Sequence, residues 1–256
     1  MCTAKAFTSL LLAVLVAAIV VAAGPAHSET VNCTPITSVP IIITAQGIYC
    51  LTGNLNTAIT TGNAITINAN SVVLDLNGFK LGGLAAGPGT QAKGIYLLNR
   101  QNITIKNGTV RGFHDGIVLA DNGSSSGHVV EDIRADQNTV VGIFVAGAGG
   151  IVRNNQVVDT GGGTADGDNV SAFGIIVHGF GPRVLNNDVI RTVSQGTGIA
   201  YGIAFGASVT GGLAVNNRVT GADRGIHYFG TGKYRDNLTF DVTTPYSGGT
   251  NAGNNN

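Results

Sequence analysis

Two short phrases recur along this chain and alternate, and no other feature of the sequence restricts its fold as strongly. The first is Gly-Ile followed by apolar residues, at Gly94-Ile95, Gly116-Ile117, Gly142-Ile143, Gly174-Ile175, Gly202-Ile203 and Gly225-Ile226. The second runs through Asn107-Gly108-Thr109-Val110, Asn154-Asn155-Gln156-Val157, Asn186-Asn187-Asp188-Val189, Asn216-Asn217-Arg218-Val219 and the looser Asp236-Asn237-Leu238. The first phrase returns at intervals of 22, 26, 32, 28 and 23 residues. A period of this size, holding two or three short apolar strands between Gly or Asn turns, is that of a solenoid. Asn tolerates the left-handed backbone of a sharp turn, so Asn residues stacked at one corner can bond to each other and to the backbone. Unequal intervals fit coils that keep their strands and place insertions at the corners. A propeller needs more regular blades of about 40 residues.

Composition agrees. There are 39 Gly and 24 Asn but only two Glu, five Lys, six Gln and one Met, which excludes a helical architecture. With 43% apolar and 11% charged residues the chain has a core to bury and is not intrinsically disordered. Fourteen basic residues balance fourteen acidic ones, and Lys and Arg never form a run, so no nucleic-acid partner is expected.

The N-terminus reads as an address. Lys5 precedes the apolar stretch 6–23, and Ala26 and Ser28 are the small residues that a signal peptidase reads. Residues 1–28 are expected to be a signal peptide cleaved before Glu29; the other reading is an uncleaved anchor of 18 apolar residues. No later segment is apolar and long enough to span a membrane. The mature chain then holds Cys33 and Cys50, which an oxidising compartment would join. Such a bridge closes a loop of about 17 residues and contributes about 3 kcal/mol in the chain-entropy account. Two buried thiols are the other reading. The expected organisation is a cap at 29–56 held by this disulfide, a solenoid body at 57–240 and a flexible tail at 241–256.

The Gly-Ile-x-Val and Asn-Asn-x-Val phrases, with Val72-Val73-Leu74-Asp75-Leu76-Asn77-Gly78 and Asn102-Ile103-Thr104-Ile105-Lys106-Asn107-Gly108, resemble those of secreted right-handed parallel β-helix proteins, the pectate-lyase-like superfamily. The likeness covers about residues 40–240. It implies an all-β right-handed parallel β-helix, here of seven or eight coils, and a substrate groove along one sheet. In that superfamily the groove is lined with Asp, Arg and Lys, often with calcium.

Strand alternation places Ile95, Ile117, Ile143, Ile175, Ile203 and Ile226 inward, with Leu97, Leu119, Val145, Val177, Phe205 and Tyr228. Outward then come Tyr96, Val118, Phe144, Ile176, Ala204 and His227, and, just before each Gly, Lys93, Asp115, Val141, Phe173, Tyr201 and Arg224. This outer face is apolar and aromatic and lacks the charge of a polyuronate groove. Its substrate-binding candidates are Tyr96, Phe144, Phe173, His178, Tyr201 and His227, with rings for apolar sugar faces and His for hydroxyls. Long loops at 84–93, 161–173 and 192–201 either cover this face or wall a groove on it. A protein partner or a second protomer is the other occupant that such a surface accepts.

The catalytic candidates are His114, Asp115, Arg111 and Arg134, to which Asp136 adds a carboxylate. If neighbouring coils bring them to one corner, His114 is the base, Asp115 orients it, and Arg111 and Arg134 hold a substrate carboxylate, as a lyase or epimerase requires. The same residues also read as a solvated ladder of ion pairs. His178 and His227 lie two coils apart, about 10 Å, too far for one metal ion, and no metal site or cofactor is expected. Asp166-Gly167-Asp168-Asn169 offers oxygen atoms for weak calcium binding or, equally, a solvated turn. The expected function is thus a secreted or periplasmic polysaccharide-binding protein, a lyase or epimerase if catalytic; the alternative is a noncatalytic surface or scaffold protein. Some periplasmic proteins with similar repeats serve nitrous oxide reductase maturation, but no His, Cys or Met cluster supports that role here.

Overall fold

The computed structural model describes residues 32–256; the signal-peptide reading at 1–28 lies outside the described residues. The chain is a right-handed parallel β-helix, the hand that parallel crossover connections take. Each turn contributes a strand to each of three parallel ladders. The first face stacks Ile41–Ile43, Asn63–Ile67, Lys93–Leu98, Asp115–Ala120, Val141–Val145, Ala172–Val177, Ala200–Phe205 and the later parts of Arg218–Tyr228 and Leu238–Ser247. On the second face lie Thr34–Ile36, Gly47–Leu51, Val72–Asp75, the first halves of Thr104–Arg111 and Val129–Asp136, then Ile151–Arg153, Arg183–Leu185, Gly212–Val215, Gly232–Arg235 and Thr250–Asn251. The third face holds Leu55–Asn56, Lys80–Gly82, the second halves of Thr104–Arg111 and Val129–Asp136, Gln156–Gly161, Asp188–Val193 and the first parts of Arg218–Tyr228 and Leu238–Ser247.

The two recurring phrases alternate because they pack against each other. A Cβ added at Gly142 would lie 2.5 Å from the Gly174 carbonyl of the next coil and 2.6 Å from Val157 Cγ1. Gly174 meets Val189 and Gly202 meets Val219 in the same way, at 2.5 and 2.3 Å. The Gly of the first face thus leaves the hole that the Val of the Asn-Asn-x-Val phrase fills, and only a residue without Cβ leaves it. All twelve inward positions expected from alternation are buried, none more than 4% exposed, so the register is the one the sequence predicts.

The second phrase makes the corner between the second and third faces. Asn154, Asn186 and Asn216 take φ near +55°, and the Asn after each points into the solenoid. Asn187 donates from its backbone and its side chain to Asn217 Oδ1, both at 3.0 Å, and its own Oδ1 accepts the same pair from Asn155. Asn217 does the same to Asn237, and Asn237 to Asn255. Each Nδ2 also reaches a carbonyl of the preceding coil, as Asn187 does Val152 at 3.0 Å. These Asn side chains are buried and fully used, which is the condition for polar groups in a core.

Both ends differ from the expectation. Of the cap expected at 29–56, the described residues 32–56 are not a separate unit: Thr34–Ile36 already pairs with Gly47–Leu51, and Ile41–Ile43 with Asn63–Ile67. The Cys33–Cys50 disulfide is formed, with the Cα atoms 5.8 Å apart. Residues 241–256 do not form a tail without strands. Leu238–Ser247 and Thr250–Asn251 continue the ladders, Asn255 extends the Asn stack, and Tyr246 stacks on Tyr234 at 5.0 Å. Pro245 is tolerated because it stands in the last strand of its ladder, where a missing N–H breaks no further pairing.

Candidate functional site

The corner between the third and first faces is built differently. Some coils pass it tightly, at 112–114 and 137–140, whereas others insert the longer segments 83–92, 161–171 and 194–199. These insertions interlock into a wall along one side of the first face. Thr164 N donates to the Pro88 carbonyl at 3.0 Å, Val170 and Gln195 exchange backbone bonds of 3.1 and 2.9 Å, and Thr197 donates to Asn169 Oδ1 from N and Oγ1 at 2.8 and 2.9 Å. Beneath the arch lies a cavity of about 220 Å³ lined by Leu84, Pro88, Gln137, Thr139, Gly161 and Gly162.

His114 sits under this wall at the edge of the first face. The adjacent Phe113 is fully buried, with its N–H donating to Asn138 Oδ1, and His114 N donates to the Ala92 carbonyl, which fixes where the imidazole begins. Its Nδ1 lies 3.0 Å from Asp115 Oδ1 and its Nε2 2.6 Å from Asp166 Oδ2, 52 residues along on the 161–171 loop. Lys93 Nζ is 3.8 Å from the other Asp115 oxygen. The hydrogen bond to Asp115 raises the His114 pKa above its usual value, burial works against this, and the Asp115 charge and then Asp166 add to the rise. An imidazolium donates from both nitrogens here and has no lone pair free. Base chemistry at Nε2 therefore requires Asp166 to leave.

Of the expected cluster, the structure joins His114 to Asp115 and leaves the arginines elsewhere. Arg111 pairs with Asp136 at 3.3 Å and donates to Gln137, while Arg134 pairs with the same Asp136 at 3.7 Å and donates to Gln156. They form a rung of ion pairs on the third face, continued by Arg218–Asp188 at 3.3 Å. Asp166, which sequence reading assigned to a turn or a calcium loop, is the partner that composition alone does not reveal.

Farther along the first face the outward side chains form an aromatic cluster and a separate ring pair. Phe173 and Tyr201 stack at 4.9 Å, Arg224 lies 5.5 Å over the Tyr201 ring, and His227 packs edge-on against Phe229 at 4.1 Å. Phe144 meets His178 edge-on at 5.3 Å; a Cβ at Gly206 would collide with that His178 ring, and His178 Nδ1 bonds with Ser208 Oγ at 3.1 Å. Burial lowers the pKa of His178, and burial with the Arg224 charge lowers that of His227. Tyr201 and His227 are only 5% and 8% exposed and act as supports, whereas Phe229 is 50% exposed and Tyr96, Phe144 and Phe173 are half-buried. Phe229 was missed by sequence reading, although it occupies the column of His178: Phe229 N bonds to the Phe205 carbonyl as His178 N does to that of Val145. Among the described residues no three His, Cys, Asp or Glu side chains gather as metal ligands, and no helix is long and apolar enough to cross a membrane.

No family model and no curated protein matches the chain. Among solved structures, the Agl-KA catalytic domain is 12% identical, with a TM-score of 0.32, covering 81% of this chain and 57% of its own. The catalytic domain of a GH87 alpha-1,3-glucanase in complex with nigerose is 10% identical, with a TM-score of 0.35, covering 91% of this chain and 70% of its own. This chain thus spans little more than half of the first. Overlap of this degree assigns neither an activity nor a residue role here.

Proposed function

We propose that this is an exported protein that binds a polysaccharide along the first face, with lyase or epimerase chemistry at the His114 end. The carrying observation is the outward aromatic cluster set beside a wall of interlocked loops. Half-exposed Phe229 and half-buried Tyr96, Phe144 and Phe173 offer apolar surface to sugar rings, and half-buried His178 offers a ring nitrogen to hydroxyls. The Cys33–Cys50 disulfide accords with export. In the chemical step His114, freed from Asp166 and held by Asp115, takes the proton beside a sugar carboxylate. An epimerase returns a proton on the opposite face; a lyase expels the linked oxygen instead.

A glycan array on the purified protein tests the binding. Selective binding that Phe229→Ala and Phe144→Ala each weaken, with circular dichroism unchanged, is the expected result. A folded protein that binds no glycan and runs above monomer mass in light scattering points instead to a docking surface for a partner or a second copy. For the chemistry, His114→Ala is expected to abolish turnover and keep the fold; unchanged turnover removes the assignment.

A further inference from the structure

The Asp166 contact carries more than a loop tether. Every other tie between the 161–171 loop and its neighbours described above is an uncharged hydrogen bond: Thr164 to Pro88, Val170 to Gln195, Asn169 to Thr197. Only at His114 is the loop held by opposite charges, and there Asp166 presents a carboxylate to an imidazole nitrogen at 2.6 Å, the geometry of a charge-assisted hydrogen bond. The same imidazole is oriented from behind by Asp115, which also faces Lys93. Counting the charges that face this point, Lys93 and protonated His114 against Asp115 and Asp166, the closed arrangement is neutral. Withdrawal of Asp166 leaves a net positive site with a directed N–H and an exposed rim. We propose that Asp166 occupies the position at His114 Nε2 that a ligand's carboxylate takes on binding, before the ring loses its proton to solvent and acts as base, so that the 161–171 loop closes this site until a carboxylate-bearing sugar displaces it.

This rests on the reading of the first face as a glycan surface and of His114 as acting beside a sugar carboxylate, and adds the site's own competitor for that carboxylate. The loop is suited to moving. Gly162 and Gly167 lie in it at φ of +77° and +89°, and Asp166 remains 37% exposed. Since the clasp needs the imidazolium, it holds at lower pH and loosens as the ring loses its proton.

Two measurements test the proposal. In the first, without sugar, hydrogen exchange of the 161–171 amides is followed against pH, corrected for intrinsic exchange, in the wild type, Asp166→Asn and His114→Gln. Protection is expected to fall with rising pH in the wild type and to be low and flat in both variants. Equal protection in the wild type and Asp166→Asn overturns the closure. In the second, a galacturonate trisaccharide and the matching neutral galactose trisaccharide are titrated into the same proteins. A site closed most of the time lowers apparent affinity by the fraction open, so Asp166→Asn is expected to bind the uronate about tenfold tighter and His114→Gln to lose it, with the neutral sugar unaffected by either change. Uronate affinity unchanged in Asp166→Asn, or uronate bound by no variant, overturns the carboxylate assignment even where the neutral sugar binds. Failure of both sugars on every variant sinks the glycan reading, while the exchange experiment still decides the closure.

Discussion

Two corners of the same solenoid solve the problem of turning the chain in opposite ways. Where the second face meets the third, the turns at 154–155, 186–187 and 216–217 each spend two Asn, one in the left-handed region and one buried, and the buried amides of Asn155, Asn187, Asn217 and Asn237 bond to the next Asn and to backbone. Where the third face meets the first, coils differ in length, and the hydroxyls of Thr160 and Thr192 are buried without a partner. Here too the loops arch over a cavity, and His114 is clasped from a distant segment. The regular corner holds the coils in register. That leaves the irregular one free to vary and to carry the site, as loops on a rigid scaffold do.

The largest test of this contrast is Asn187→Leu, which orphans the Asn155 amide and the Val152 carbonyl in the core. It is expected to lower unfolding stability by about 4 kcal/mol in denaturant titration. The third corner, between first and second faces, holds His128, wholly buried with neither ring nitrogen bonded, and burial pushes its pKa down to about 4. The unfolded chain binds a proton there near pH 6.5 and the folded one only near pH 4. Stability is therefore constant above that window and falls through it on acidification, by about 3 kcal/mol. His128→Phe should flatten the acid limb of a Tm-against-pH curve; an unchanged limb would show that another group carries it.

Smaller effects belong to the irregular corner and the face beside it. Phe229→Ala is expected to weaken glycan binding about fivefold, near 1 kcal/mol, with thermal stability kept, whereas Tyr201→Ala, which removes a buried support, should lower Tm as well. Smallest is Thr192→Val, which exchanges an unbonded buried hydroxyl for a methyl and is expected to gain about 0.5 kcal/mol. A loss as large as that of Asn187→Leu would erase the distinction between the corners.

What could be read from the sequence follows the same division. Gly-Ile and Asn-Asn recur because each coil repeats the same contacts, so the faces, the inward residues and the Asn corner were legible in advance. The partner of His114 was not, because Asp166 lies in a loop whose Gly, Asp and Asn suit any turn, and nothing local says that it reaches back across coils. Arg111 and Arg134 were placed with His114 on the stacking of neighbouring coils at one corner, yet successive strands turn them onto the third face beside Asp136. The end of the chain was misread since Tyr246 stands where earlier coils carry Ile, opposite Ile226.

The fit of Val189 into the space left by Gly174 also bears on how such a chain grows in evolution. A duplication that copies one whole period brings its own Gly and its own Val, and the new rung meets its neighbours as the old ones did. A duplication of part of a period sets a side chain against a carbonyl about 2.5 Å away. Lengthening of this molecule is therefore quantised, inherited in whole coils, while each corner insertion can be exchanged without a genetic trace in the rungs on either side.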